Sequence, residues 1–352
     1  MATTMQAIIF TDINQVSIGS YELGVCGPKE IVTRTLYSMV SSGTELRVLG
    51  GHYGAKGNYP LIPGYSTVGR VTAIGADVKG FRIGDLVSCR NPRPCPGIKA
   101  QWGGQASIQV HATSGEDRPI LLPPDANPLD YVIAEISAIS FRGVEAAAPK
   151  PGESAVVIGQ GLIGAFSGAW LAARGCRVVV ADVEPGRLAR AVKWGAAATV
   201  NVTEAGAQER LATLCNGGAD IVVESSGSSA GALLAYKLVR RKPQRYGTEY
   251  KVEPIAFYHQ DWPRLIMQAN YIEPISIDPF AFFDGEGITI LAPKDRGVED
   301  RQKVVEQIRR GAIKSADFVQ NVLPFQEAPA AYRSLREDKN RCFSVVFDWT
   351  KA

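Results

Sequence analysis

The residues most able to do chemistry run Gly159-Gln-Gly161-Leu162-Ile163-Gly164, directly after the apolar stretch Val156-Val-Ile158. Glycines at that spacing have distinct jobs. The first permits a tight turn, the second lets the backbone approach a pyrophosphate, and the third lets a helix pack closely on a strand. A helix opening at this point aims unpaired N–H groups at an anion. The next apolar stretch, Val178-Val-Val-Ala181, delivers Asp182. It stands about 20 residues further on, where a carboxylate accepts hydrogen bonds from an adenosine ribose and repels a 2′-phosphate. NAD is therefore the expected cofactor, with Arg187 close enough in sequence to soften the preference over NADP. The competing reading is a glycine turn that holds nothing, and strand, glycines and acid together weigh against it.

These residues need elements to position them. From Ser154 to Glu224 the pattern alternates: strand 154–158, helix 162–173, strand 177–181, helix 185–194, strand 199–201, helix 207–214, strand 220–224. Alternation of this kind gives βαβ units and a parallel sheet covered on both faces. Ahead of it, from Met5 to about His111, short β-rich segments are broken by glycine and proline, which predicts a compact β-barrel-like domain. Leu129 to Ala148 reads as one helix, followed by a turn at Pro149-Lys-Pro-Gly152. The region from Arg240 to Gly287 fits less well. It carries the basic Arg240, Arg241, Lys242 and Arg245, then an aromatic run with Phe257, Tyr258, Trp262, Tyr271, Phe280, Phe282 and Phe283. A substrate wall, a dimer interface and core packing all remain open for that run. Strands at 288–292 and 342–347 and a helix at 300–310 complete the pattern.

Composition narrows the class. The chain has 352 residues, 45% hydrophobic and 21% charged, as expected of a folded two-domain protein. A formal charge of +3 without a long lysine-arginine block makes nucleic acid an unlikely partner. No apolar stretch reaches membrane-spanning length and the first residues show no export pattern, so a cytoplasmic protein with no membrane partner is expected. The six cysteines are scattered and are read as reduced thiols.

Other motifs surround the glycine turn. Pro60-Leu-Ile-Pro-Gly64, Val68-Gly-Arg-Val71 and Phe81-Arg-Ile-Gly-Asp85 precede it, while Gly218-Ala-Asp-Ile-Val-Val-Glu-Ser-Ser-Gly227 and Leu323-Pro-Phe-Gln-Glu-Ala-Pro-Ala-Ala-Tyr332 follow it. In this order the chain resembles, nearly end to end, the medium-chain dehydrogenase/reductase superfamily of zinc-type alcohol and polyol dehydrogenases. The resemblance implies an α/β protein: a GroES-like β-barrel catalytic domain from residues 1–136 and 293–352, around a Rossmann doubly wound parallel-sheet domain at 137–292. It also implies that Leu162, Ile163, Ser225 and Phe257 join the cofactor-binding residues.

The departures bear on mechanism. Zinc-dependent members begin with cysteine the segment that here reads Ser42-Gly43-Thr44-Glu45, and have Gly-His-Glu where this chain has Gly64-Tyr65-Ser66. Serine and tyrosine do not replace thiolate and imidazole for zinc. Glu135 matches a glutamate near zinc in polyol-dehydrogenase relatives, and the four-cysteine structural lobe is missing, so no metal is expected. The pattern Ser41-Ser-Gly-Thr-Glu45 with Tyr59-Pro-Leu-Ile-Pro-Gly-Tyr65 is locally similar to bacteriochlorophyllide hydroxyethyl dehydrogenases, which look like zinc-free relatives.

Without zinc, another group must polarise the alcohol oxygen and take its proton. Thr44, at the family's proton-relay position, is the first candidate. Tyr65, Ser42 and Ser66 are candidate hydrogen-bond donors, Glu135 a candidate base and His52 a candidate relay. Each has a plainer reading: a helix cap for Thr44, a core aromatic for Tyr65, a solvated loop histidine for His52. The expected activity is zinc-independent, NAD-dependent hydride transfer between a secondary alcohol and its ketone, the alcohol being a polyol, a sugar derivative or a larger ring compound. Reduction of an enone or quinone is the second reading, and a non-catalytic dinucleotide-binding protein the third. A homodimer or homotetramer is expected on general grounds.

Overall fold

The computed structural model describes residues 4–53, 58–240, 262–276, 287–293, 297–338 and 341–352. Strands β1 to β9 come first, at Thr4–Asp12, Gln15–Glu22, Glu30–Met39, Leu61–Ile62, Thr67–Ile74, Leu86–Cys89, Lys99–Ala100, Ile108–Ala112 and Ile120–Leu121. Strands β10 to β15 follow at Ser154–Ile158, Arg177–Asp182, Ala198–Asn201, Ile221–Glu224, Arg264–Met267 and Thr289–Leu291, and β16 and β17 at Asn321–Pro324 and Val345–Asp348. The helices are α1 (Ser42–Leu49), α2 (Pro128–Tyr131), α3 (Ala134–Ala146), α4 (Leu162–Ala173), α5 (Pro185–Ala191), α6 (Ala207–Leu214), α7 (Ser229–Leu238), α8 (Val298–Arg309) and α9 (Ala328–Glu337). Among the described residues no helix is long and apolar enough to cross a membrane.

Two compact units result: a split unit of Met1–Ala138 with Arg296–Ala352, and a central unit of Ile139–Asp295. The central unit is a Rossmann domain, a parallel sheet in the order β12-β11-β10-β13-β14-β15. Its middle strands are apolar on both faces, as helices on both sides require. Val157 lies opposite Val180 on one side and Val223 on the other, and all three are fully buried. The chain reverses its direction of growth between β10 and β13, so the ends of these two strands form the switch point where α/β sheets take ligands.

The split unit is GroES-like. A four-stranded sheet runs β2-β1-β4-β7 and a seven-stranded one β16-β17-β3-β5-β6-β9, with β8 also on β3. Asn14 turns the β1–β2 hairpin at φ 58°, a left-handed position that asparagine tolerates. The C-terminal segment completes this unit, because β17 pairs with β3 and α9 buries Ala328, Ala331, Tyr332 and Leu335 at helical spacing. Tyr332 meets Phe10 edge to face at 5.0 Å, and Trp349 stacks on Phe325 at 4.5 Å.

The helix expected over 129–148 is two helices, α2 and α3, divided at Val132 and Ile133. No glycine or proline marks the break. The Val132 carbonyl there accepts the Ser66 hydroxyl at 2.9 Å, a contact from a distant part of the chain. The closing strand also starts later than expected, at Val345, because Phe343 N–H and the Ser344 hydroxyl are engaged by Gln320 and Phe318.

Candidate functional site

The central unit forms its cradle from backbone. Gly159 follows β10 at φ +87°, and a Cβ on it would lie 2.6 Å from Ser226 N. A Cβ on Gly164 would lie 1.8 Å from the Gly159 carbonyl oxygen, so only glycine lets α4 sit this close to the turn. Gly161 differs, since a Cβ there would meet nothing within 4 Å. Gly161 is also the N-cap of α4 and offers no side chain to the first-turn amides. Open space beside uncapped amides, with Leu162 and Ile163 opening the helix, suits the pyrophosphate of a dinucleotide.

Asp182 ends β11 and is 5% exposed. Its carboxylate accepts the Gln160 amide from the glycine turn and, at 2.9 Å, the Glu184 amide. The acid is thereby tied to the turn it serves, with lone pairs left for ribose hydroxyls. Arg187 stands 3.8 Å from it. Ser225 closes the cradle by donating to the Ile158 and Gly159 carbonyls, each at 2.9 Å. Phe257 lies outside the described residues, as do Tyr258, Phe280, Phe282, Phe283, Arg241, Lys242 and Arg245. Of that aromatic run, Trp262 and Tyr271 are described, and Tyr271 donates its hydroxyl to Glu224 at the end of β13.

The split unit brings side chains together from far apart in the chain. Tyr65, 6% exposed, lies 2.6 Å from the Ser41 hydroxyl and packs edge to face on Trp102 at 5.2 Å. Ser41 is the N-cap of α1, yet its side chain makes no capping bond. Glu45 reaches back to take the Ser41 N–H at 2.8 Å, and its second oxygen accepts from Gln105 at 3.2 Å and from the Tyr332 hydroxyl at 2.5 Å. Glu45 is completely buried. Loss of water pushes its carboxyl up to about 7 against the pull of these hydrogen bonds, and the neighbouring Glu45 carboxyl adds to burial in pushing the Tyr332 phenol up.

The other residues singled out from sequence fall in different places. Ser42 and Thr44 are half-buried in the first turn of α1; the N-cap position is Ser41, three residues before Thr44, so Thr44 does not stand at the cap. Ser66 is buried and donates to the Val132 carbonyl. Glu135 is buried in an ion pair with Arg301 of α8, whose other bonds go to the carbonyls of Glu116 and Arg118 at 3.0 Å. His52 is exposed just beyond α1. Sequence reasoning did not single out Ser41, Glu45, Gln105 or Tyr332 as functional. One local signal was present: an acid four residues after a serine at a helix start, close to capping-box spacing.

The donors at the family's zinc positions, Ser42, Tyr65 and Ser66, are hydroxyls, and the Ser66 hydroxyl is spent on a carbonyl. Such a set does not fit zinc, which takes thiolate, imidazole and carboxylate. Among the described residues no three His, Cys, Asp or Glu side chains are grouped to hold a metal ion.

Comparison with known proteins gives matches in both units. The family model described as zinc-binding dehydrogenase matches residues 163–244, and that of the alcohol dehydrogenase GroES-like domain matches residues 27–115. Sorbitol dehydrogenase of Bacillus subtilis is 24% identical over 369 residues, covering 97% of this chain and 96% of that protein. D-xylulose reductase A of Aspergillus niger is 23% identical over 302 residues, covering 80% and 78%. Among solved structures, an Escherichia coli alcohol dehydrogenase complexed with NADH aligns at TM-score 0.82 and 18% identity, covering 98% of this chain and 99% of that one. A Sinorhizobium meliloti dehydrogenase bound to NADP aligns equally well, at TM-score 0.82, 18% identity and the same coverage. At these identities the structural likeness speaks for the fold.

Proposed function

The chain belongs to the medium-chain dehydrogenase/reductase superfamily, and on that premise we propose that it moves a hydride between a secondary alcohol and NAD without zinc. The observation that carries the reading is the hydrogen bond between Ser41 and Tyr65, because it fixes a phenol, at a position where zinc-dependent members have a metal ligand, against a neighbouring hydroxyl. In this reading Gly161 and the first turn of α4 hold the pyrophosphate, Gly159 and Gly164 shape the turn that presents them, and Asp182 takes the ribose hydroxyls. Bound there, the dinucleotide supplies an acceptor for the hydride leaving the alcohol carbon.

The remaining work falls to this chain's hydroxyls. The Tyr65 phenol, steadied by Ser41, orients the substrate oxygen and donates to it as carbonyl character develops. Thr44 receives the alcohol proton as the carbon–hydrogen bond breaks and passes it towards solvent, so oxidation yields one ketone, one hydride transferred and one proton released. Glu135 is assigned a structural role, since its carboxylate is engaged by the buried Arg301 guanidinium, which also ties the carbonyls of Glu116 and Arg118. Preference for NAD is supported by the buried, doubly bonded Asp182; Arg187 at 3.8 Å offsets part of its charge, so slower turnover with NADP is expected. The names of the sorbitol and xylulose relatives support a polyol or sugar-derived alcohol as substrate.

The test is to incubate purified protein with NAD and a panel of secondary alcohols, polyols, sugar derivatives and ring alcohols, following NADH. Ketone and NADH formed one for one support the proposal. Silence on every alcohol, with turnover on enones or quinones or with tight NADH binding alone, overturns it.

A further inference from the structure

A serine at a helix N-cap ordinarily has extended backbone and turns its hydroxyl onto a first-turn amide, contributing about 1 kcal/mol. Ser41 does neither: it sits at φ −79°, ψ 83°, without a side-chain cap. Glu45, at N4 and one position beyond the acid of a capping box, takes the Ser41 N–H at 2.8 Å. The serine hydroxyl lies 2.6 Å from the Tyr65 phenol and not on a first-turn amide. Glu45 is itself locked. Gln105 bonds it at 3.2 Å and accepts the Ser38 hydroxyl at 2.6 Å, Ser38 accepts Trp349 Nε1 at 2.8 Å, and Tyr332 bonds the same carboxyl. A wholly buried acid is a costly way to tie elements together, and apolar residues of similar volume do that at least as well. Local rules broken beside a candidate site call for a reason at the site.

We propose that Glu45 is a positioning residue for Tyr65: its grip on the Ser41 amide holds that residue out of the capping conformation and so aims the Ser41 hydroxyl at the Tyr65 phenol. The locked network from Trp349 through Ser38 and Gln105 makes the grip rigid. Removing the grip frees Ser41 to turn back and cap α1, and Tyr65 then loses the Ser41 hydroxyl. The kinetic consequence rests on the dehydrogenase reading; the structural consequence does not.

The experiment labels the tyrosines with carbon-13 at Cζ and assigns Tyr65 by the resonance lost in Tyr65→Phe. Glu45→Leu is expected to shift the Tyr65 resonance to the position it takes in Ser41→Ala, and the double variant to shift it no further. Glu45→Gln, whose amide oxygen still accepts the Ser41 N–H, is expected to restore most of the wild-type position. With substrate, kcat falls about tenfold in either single variant, the scale of one lost hydrogen bond, and no further in the double, while NADH affinity holds. If Glu45→Leu does not fold, Glu45→Asp replaces it, its shorter arm drawing the carboxyl back from Ser41. A wild-type Tyr65 resonance in folded Glu45→Leu or Glu45→Asp, or in Ser41→Ala, overturns the proposal, as do additive losses in the double variant. The expected resonance shifts without turnover on any alcohol would uphold the positioning role and count against the dehydrogenase reading.

Discussion

The cradle and the hydroxyl pocket are made in opposite ways. The cradle is mostly main chain, set by glycines within a few residues of one another and one acid tied to their turn through the Gln160 amide. The hydroxyl pocket is made of side chains, with Glu45 and Tyr332 meeting across 287 positions of sequence. A main-chain site withstands drift in its side chains but not the loss of a glycine. A side-chain site can exchange its chemistry while the fold persists, and in the proposed reading hydroxyls stand where zinc-dependent members of the family have their ligands.

Substitutions can break that contrast. The largest effect is expected at Gly164→Val, which drives a side chain into the Gly159 carbonyl. Stability should fall by several kcal/mol with loss of NADH binding, read by thermal unfolding and fluorescence titration. Gly161→Ala sharpens the point: with nothing within 4 Å, it should keep its melting temperature while binding the dinucleotide more weakly. Equal damage from both would mean that the glycines serve the fold alone.

Next in size is a pH effect in the side-chain site. The Glu45 carboxyl sits at about 7 in the folded chain against an ordinary 4.5, so the native state holds a proton that the unfolded chain has released between those values. Stability from this group is therefore full below about pH 4.5, is lost as pH rises towards 7, and stays lost above it, by roughly 3 kcal/mol. Urea unfolding at acidic and mildly alkaline pH should show that slope reduced in Glu45→Gln. An unchanged slope would place the proton elsewhere.

Two smaller effects concern activity. Tyr65→Phe should lower kcat about a hundredfold, near 2.7 kcal/mol, with NADH affinity unchanged. Asp182→Gly should reduce discrimination between NAD and NADP about tenfold and leave kcat on the alcohol nearly intact. If the first variant disturbed cofactor binding, or the second the alcohol step, the division of labour would be wrong.

Much of the cradle is legible from sequence because its geometry is local: strand, glycine spacing and acid follow from backbone sterics over about 25 residues. The break between α2 and α3 is not, since no breaker residue stands there and the Ser66 hydroxyl arrives from another part of the chain. Glu45 was visible only as a near-miss to a capping box. That its carboxyl would be buried, and its partners would be Gln105 and Tyr332, depends on the C-terminal helix α9 returning to the N-terminal sheet, a tertiary fact without a local signature.

The central claim is that this chain does its chemistry with hydroxyls in place of a metal. The direct test strips the protein with a chelator, verifies metal content by elemental analysis, and measures NAD-dependent oxidation of the best alcohol before and after adding zinc. The account predicts full turnover in the stripped protein and no gain with zinc; turnover that vanishes on stripping and returns with zinc would contradict it.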